Sequence, residues 1–246
     1  MLLTAVLGMA IGPAQANPIT FSASSGTLSA SATFDLNASG NLVVQLTNTS
    51  GTDVTGAAQL LTGLFFTTPG NLTLTPLSAS LAHFGLPGGS TVLTLLRNGT
   101  VQVGPDGGGN VGGEWAYAFF GLSGVLHGAN QGISSSGLGL FGAGNFFGSN
   151  LEGPVSVDGP QFGIASAGDD AHTYNGRATP LIHNSVVFTL GVVPAGFSLS
   201  DIIPSSIGFQ YGTSLSEPYI RIPEPSTLVL LGLGLAGAAL FRRKRK

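Results

Sequence analysis

Three glycines near the end of the chain, Gly232, Gly234 and Gly237, have the G-x-G-x-x-G spacing of a loop that wraps a dinucleotide pyrophosphate. Such a loop needs a strand before it, the helix of a βαβ unit after it and an acidic residue about 20 positions on to hold the ribose. The residues that follow Gly237 are apolar and then basic, so the spacing is not read as a cofactor loop. In an apolar helix, Gly234 and Ala238 are instead small residues four apart that let a second helix come close. The other candidates for chemistry are Asp169, Asp170 and His172 in AGDDAH and the isolated His83, His127 and His183. No H-E-x-x-H or H-x-x-x-H pair sets two imidazoles on one helical face for zinc, and no G-x-S-x-G elbow presents a serine nucleophile. Cysteine is absent, which removes thiolate nucleophiles and thiolate metal sites. Asp169 and Asp170 could ligate Ca²⁺ together with backbone carbonyls, but turns recruit Asp for their own hydrogen bonds, and the turn reading is preferred. No catalytic, cofactor-binding or metal-binding residue is assigned.

Composition limits what could position such groups. Charged residues are 8% of the 246, glycines number 39 and the hydrophobic fraction is 43%, against about a quarter charged residues in an ordinary soluble domain. The last five residues, Arg242, Arg243, Lys244, Arg245 and Lys246, hold five of the eight basic groups. Between residues 17 and 222, ten carboxylates face three arginines, a formal charge of −7. A surface of that sign repels phosphate backbones, so nucleic acid is not expected as a partner.

Leu28 to Asn37 alternates, with Leu28, Ala30, Ala32, Phe34 and Leu36 on one face and Ser, Thr, Asp and Asn on the other; this predicts a half-buried strand. A loop at 38–41 and a second alternating run from Leu42 complete a predicted hairpin. Further strands are expected over Leu60–Thr67, Asn71–Leu77, Ser90–Leu96, Glu114–Phe120, Gln161–Ala165, Ser185–Leu190 and Ile207–Tyr211. Gly128 to Gly153, with eight glycines and three phenylalanines, reads as a long, partly packed loop. Short strands at short intervals predict an all-β fold, an antiparallel β-sandwich or jelly-roll-like ectodomain.

The two ends read differently. Leu2 to Ile11 is apolar, Gly12-Pro13 breaks any helix, and Ala14-Gln15-Ala16 has the A-x-A form of a signal-peptidase site; this predicts a signal peptide over 1–16 and a β-rich domain over 17–221. Thr227 to Phe241 is uninterrupted and apolar, and the basic cluster at 242–246 follows as a membrane stop. Fifteen residues of helix rise only about 22 Å, a marginal transmembrane span. Just before it, the prolines of Pro223-Glu224-Pro225 hold Glu224 extended and outside any helix.

A Pro-Glu-Pro triplet, an apolar helix and an Arg-rich end, over 222–246, resemble the PEP-CTERM sorting signal of exosortase-processed bacterial surface proteins. The resemblance implies that exosortase recognises Pro223, Glu224 and Pro225, cuts there and removes a transient membrane anchor. It also places the protein at the cell surface or outside it, in the company of exopolysaccharide and biofilm. The expected role is structural or adhesive rather than enzymatic. Two alternatives stay open: a secreted hydrolase or carbohydrate-active enzyme using some of Asp169, Asp170, His172 and His183, and a surface protein that keeps its anchor permanently.

Overall fold

The computed structural model describes residues 17–70, 72–97, 101–103, 109–121, 126–140, 149–151, 157, 159–176, 179–191 and 193–223. In chain order the strands are β1 (Ile19–Ser25), β2 (Leu28–Leu36), β3 (Leu42–Asn48), β4 (Leu61–Phe66), β5 (Thr75–Leu81), β6 (Thr91–Leu95), β7 (Val101–Val103), β8 (Ala116–Phe119), β9 (Gln131–Ser134), β10 (Ser149–Asn150), β11 (Ile164–Ala165), β12 (Pro180–His183), β13 (Ser185–Gly191), β14 (Gly208–Tyr211) and β15 (Tyr219–Arg221). The fold is all-β as expected, with only short 3₁₀ turns besides the strands among the described residues.

Two sheets share one core. The first runs β1-β2-β3-β13-β5 and is antiparallel throughout. Its alternating residues sort as the period-2 pattern requires: Ala30, Ala32 and Phe34 of β2 and Leu42, Val44 and Leu46 of β3 are buried, while the Ser, Thr and Gln between them stay partly exposed. The β1–β2 connection is the two-residue turn Gly26-Thr27, with Gly26 at φ 60. A glycine at the first central position is what a type II′ hairpin turn requires, and it fixes the register Ser25↔Leu28.

The second sheet runs β10-β8-β9-β4-β11-β12-β6-β7, with β14 also paired to β4 and β15 to β14. Its central strands are buried on both faces: every residue of β4, β9 and β14 is buried. One face meets the first sheet, where the Phe34 and Phe66 rings pack edge-on at 5.2 Å and Trp115 meets Phe188 at 4.9 Å. The other face is covered by a smaller cluster around Phe65, Ala116, Ala118, Ala129 and Leu138. Cover on both sides explains why these strands show no alternation.

Three expectations need correction. The array is not purely antiparallel, because β11 pairs with β12 in parallel, Ile164 opposite Ile182. The glycine-rich stretch 128–153 is not simply a loop: Gln131–Ser134 forms β9, sandwiched between β8 and β4, and Ser149–Asn150 pairs with β8. The strand expected over Asn71–Leu77 lies instead at Thr75–Leu81, because Leu72 to Leu74 is drawn to a buried side-chain network in which the Leu74 N–H donates to the Tyr117 hydroxyl at 3.0 Å.

Candidate functional site

The chain passes from one sheet to the other at Asn184, a single residue between β12 and β13. Asn184 has φ 86, a left-handed conformation that asparagine tolerates better than most residues. Its N–H donates to the Ala165 carbonyl at 2.9 Å, and its own carbonyl accepts from the Asn48 N–H at 3.1 Å. The Asn48 amide reaches across to the Ile164 carbonyl at 2.7 Å, and its oxygen accepts from the Ser50 N–H. Two asparagines thus sew the end of β3 to the seam of the second sheet.

Beside this seam lies a groove of about 340 Å³ formed by segments 47–53, 166–168 and Asn184. Its side-chain groups are hydroxyls and amides from Thr47, Asn48, Thr49, Ser50, Thr52, Ser166 and Asn184, with Asp53 as the one ionisable group. Such a lining offers neutral donors and acceptors rather than a charge clamp.

The sequence-flagged Asp169, Asp170, His172 and His183 gather next to the groove. Asp169 is 8% exposed and accepts a hydrogen bond from the Val54 N–H at 2.5 Å, while its other oxygen is buried without a partner. Burial raises its pKa from 3.8 to about 6, with Asp53 and Asp170 pushing the same way and the Val54 N–H opposing. Asp170 caps a 3₁₀ turn by accepting from the His172 N–H at 3.0 Å, and its N–H donates to Asp53 at 3.1 Å. Its carboxylate also meets His172 Nδ1 at 2.8 Å, and the hydrogen bond from the His172 N–H, first among the causes, holds its pKa below the usual value. Both side chains of that pair are 58% exposed, so the contact adds little stability. His183 is 7% exposed with Nε2 unpartnered, and burial lowers its pKa against the pull of Asp170 and Asp53.

Asp170 and His172 are tied to turn-making, Asp169 holds the Val54 backbone, and His183 closes β12. Among the described residues, no serine or threonine hydroxyl meets the His172 or His183 ring within hydrogen-bond distance, and no group of three His, Asp or Glu side chains is arranged to hold a metal ion. The remaining histidines lie elsewhere: His83 sits in an exposed turn, and His127 stacks on Tyr219 with ring centroids 4.0 Å apart. Asp53 escaped the sequence reading because it lies 117 positions before the residue it binds.

The second functional region is where the chain leaves the sheet. β14 and β15 form a hairpin whose turn is organised by Glu217, which accepts from the Ser214 N–H at 2.8 Å and from the Thr213 N–H. After Arg221, the Ile222 N–H closes on the Ile207 carbonyl at 3.1 Å, and Pro223 is exposed. Glu224, Pro225, the apolar stretch Thr227–Phe241 and Arg242–Lys246 lie outside the described residues, as do Ala14, Ala16 and the rest of 1–16. Among the described residues no helix is long and apolar enough to cross a membrane.

Residues 221–246 match the model of the PEP-CTERM protein-sorting motif, starting at the last residue of β15. The chain carries a PEP-CTERM sorting signal. That motif implies processing by exosortase and export to the cell surface or beyond it. No curated protein and no solved structure matches the chain.

Proposed function

We propose that this PEP-CTERM protein is a structural or adhesive component of the bacterial surface or extracellular matrix that holds a neutral polysaccharide in the groove at the sheet seam. The sorting motif at 221–246 carries the reading. In it, signal peptidase removes residues 1–16 after Ala16, the apolar stretch 227–241 anchors the chain transiently, and the basic cluster at 242–246 stops its transfer. Exosortase then acts at Pro223-Glu224-Pro225 and frees the domain of residues 17–221. The hydroxyl and amide lining of the groove supports a sugar polymer as the partner, since such groups and bridging water match sugar hydroxyls without requiring charge. Nothing in this role calls for catalysis.

The mass of the mature C-terminus, measured in cells with and without exosortase, tests the sorting half. Glu224→Ala should leave an intact tail in the membrane fraction, and release equal to wild type would refute recognition through this triplet. Retention of the mature protein on the exopolysaccharide of its own cells tests the other half; passage through every such matrix would remove the adhesive role while leaving the sorting route standing.

A further inference from the structure

The open sheet edges of the molecule are unequal. β5 carries Pro76, has a register shift against β13, and is covered where the Leu81 N–H donates to the Gly109 carbonyl and the Val111 N–H to the Ala79 carbonyl. β15 is three residues long, ends on exposed Arg221 and lies between Pro218 and Pro223. β7 and β10 are three and two residues long. These are the usual ways of blunting an edge: brevity, charge, proline, irregularity and cover. β1 has none of them within its length, although Pro18 lies just before it. Its seven residues, ITFSASS, pair with β2 in unbroken register, contain no charge and no proline, and pair with nothing else among the described residues; β15 of the facing sheet lies alongside without forming a ladder.

The II′ turn determines which groups that edge offers. Residues flanking a two-residue hairpin turn form a hydrogen-bonded pair, and such pairs alternate along the ladder. Ser25↔Leu28 is therefore bonded, as are Ala23↔Ala30, Phe21↔Ala32 and Ile19↔Phe34. Thr20, Ser22 and Ser24 consequently direct their N–H and C=O groups away from β2, while their exposed side chains stand on the outer face of the sheet.

We infer that β1 pairs antiparallel with β1 of a second copy of this chain about a two-fold axis through Ser22. In that register Ser22 faces its own copy and Thr20 faces Ser24, so every outward-directed backbone group of β1 meets a complementary one. The parity is the correct one: Phe21 falls opposite Ala23, both on the core side, and the hydroxyls meet on the outer side, extending the hydroxyl contact that Thr20 already makes with Thr33 at 2.8 Å. With no charge on the strand, no like charges are set opposite each other across the new ladder. The two five-stranded sheets become one continuous sheet, and an isologous contact of this kind closes as a dimer. This inference is independent of the polysaccharide reading.

The chain has no cysteine, so single-cysteine variants of the full chain, purified in detergent and oxidised, read the register directly. Across the axis the Ser22 Cα atoms lie about 5.5 Å apart, within disulfide reach, whereas the two Thr20 Cα atoms lie roughly 14 Å apart. Ser22→Cys should give at least tenfold more cross-linked dimer than Thr20→Cys or than Ser200→Cys on an exposed turn outside β1, and the pair Thr20→Cys with Ser24→Cys should restore cross-linking. Ser22→Pro, which deletes only an outward N–H, should leave a folded monomer in sedimentation where wild type is dimeric. Cross-linking of Ser22→Cys no higher than that of Ser200→Cys, equal cross-linking at Thr20, or a wild type that is monomeric because residues 1–16 occupy the edge, overturns the inference.

Discussion

The two sheets solve the same burial problem with different residues. The five-stranded sheet separates its faces: small and apolar side chains point inward, hydroxyls, Gln45 and the partly exposed Val43 and Val187 outward, and its outer face needs no cover. The larger sheet is covered on both sides, and polar side chains within it are sealed from water. Gln131 is fully buried, donates to the Thr68 hydroxyl at 2.7 Å and to the Leu72 carbonyl at 2.8 Å, and accepts from the Tyr117 hydroxyl. Burial raises that tyrosine to about 12. Gln210, also fully buried, donates to the Tyr211 carbonyl at 2.8 Å. An amide in the first sheet is solvated, whereas the same amide in the second is an internal crosslink whose loss strands several partners.

That contrast can be broken most directly with the same substitution in both sheets. Gln131→Ala should cost about 3 kcal/mol in urea unfolding, since it orphans the Tyr117 and Thr68 hydroxyls and the Leu72 carbonyl, while Gln45→Ala on the outer face should stay within about 0.5 kcal/mol. Equal costs would mean that the buried network is not the larger sheet's support.

The seam between the sheets gives the next effect, read as a pH profile. Burial makes the folded chain hold the Asp169 proton more tightly than the unfolded chain does. Its stabilising contribution is therefore complete below pH 3.8 and is lost as the pH rises through about 6. At ~1.4 kcal/mol per tenfold, that window amounts to at most about 3 kcal/mol. His183, lowered by burial, works in the opposite sense: its contribution is present above pH 6.5 and is lost as the pH falls through its depressed value. Comparing wild type with Asp169→Asn, which keeps an acceptor for the Val54 N–H, cancels the histidine. The variant should gain on wild type between pH 4 and 7, and parallel profiles would show that the carboxylate is solvated.

The smallest effect contrasts two threonines. Thr62, fully buried in β4, donates to the Gly212 carbonyl at 2.5 Å, and Thr62→Val should cost about 1 kcal/mol; Thr33→Val on the exposed face of β2 should be neutral or slightly stabilising, by a few tenths.

The same contrast explains what could be read from the chain. The β2–β3 hairpin was legible because one wet face imposes alternation. β9 was hidden because QGIS, polar and glycine-bearing, looks like a loop until the cover on both faces is known. β12 opens with Pro180 and does not announce a strand, whereas the strand expected over Gln161–Ala165 shortens to the two residues of β11 because the Gly163 N–H closes a turn on the Pro160 carbonyl. At the seam, the neighbours Asp169, Asp170 and His172 could be picked out by spacing, but Asp53 reaches Asp170, and Asn48 and Asn184 reach the strand before it, only through the fold. The sorting motif was legible because it is written in contiguous residues, 221–246.

The tie between Ile222 and Ile207 has a mechanical corollary. Every described strand precedes the triplet, so severing the chain there leaves every described rung of both sheets in place. From Pro223 to Thr227 the backbone can reach no farther than about 14 Å. Until that cut is made, the proposed anchor would moor this pole of the protein almost against the lipid headgroups, leaving the scissor little clearance in which to close.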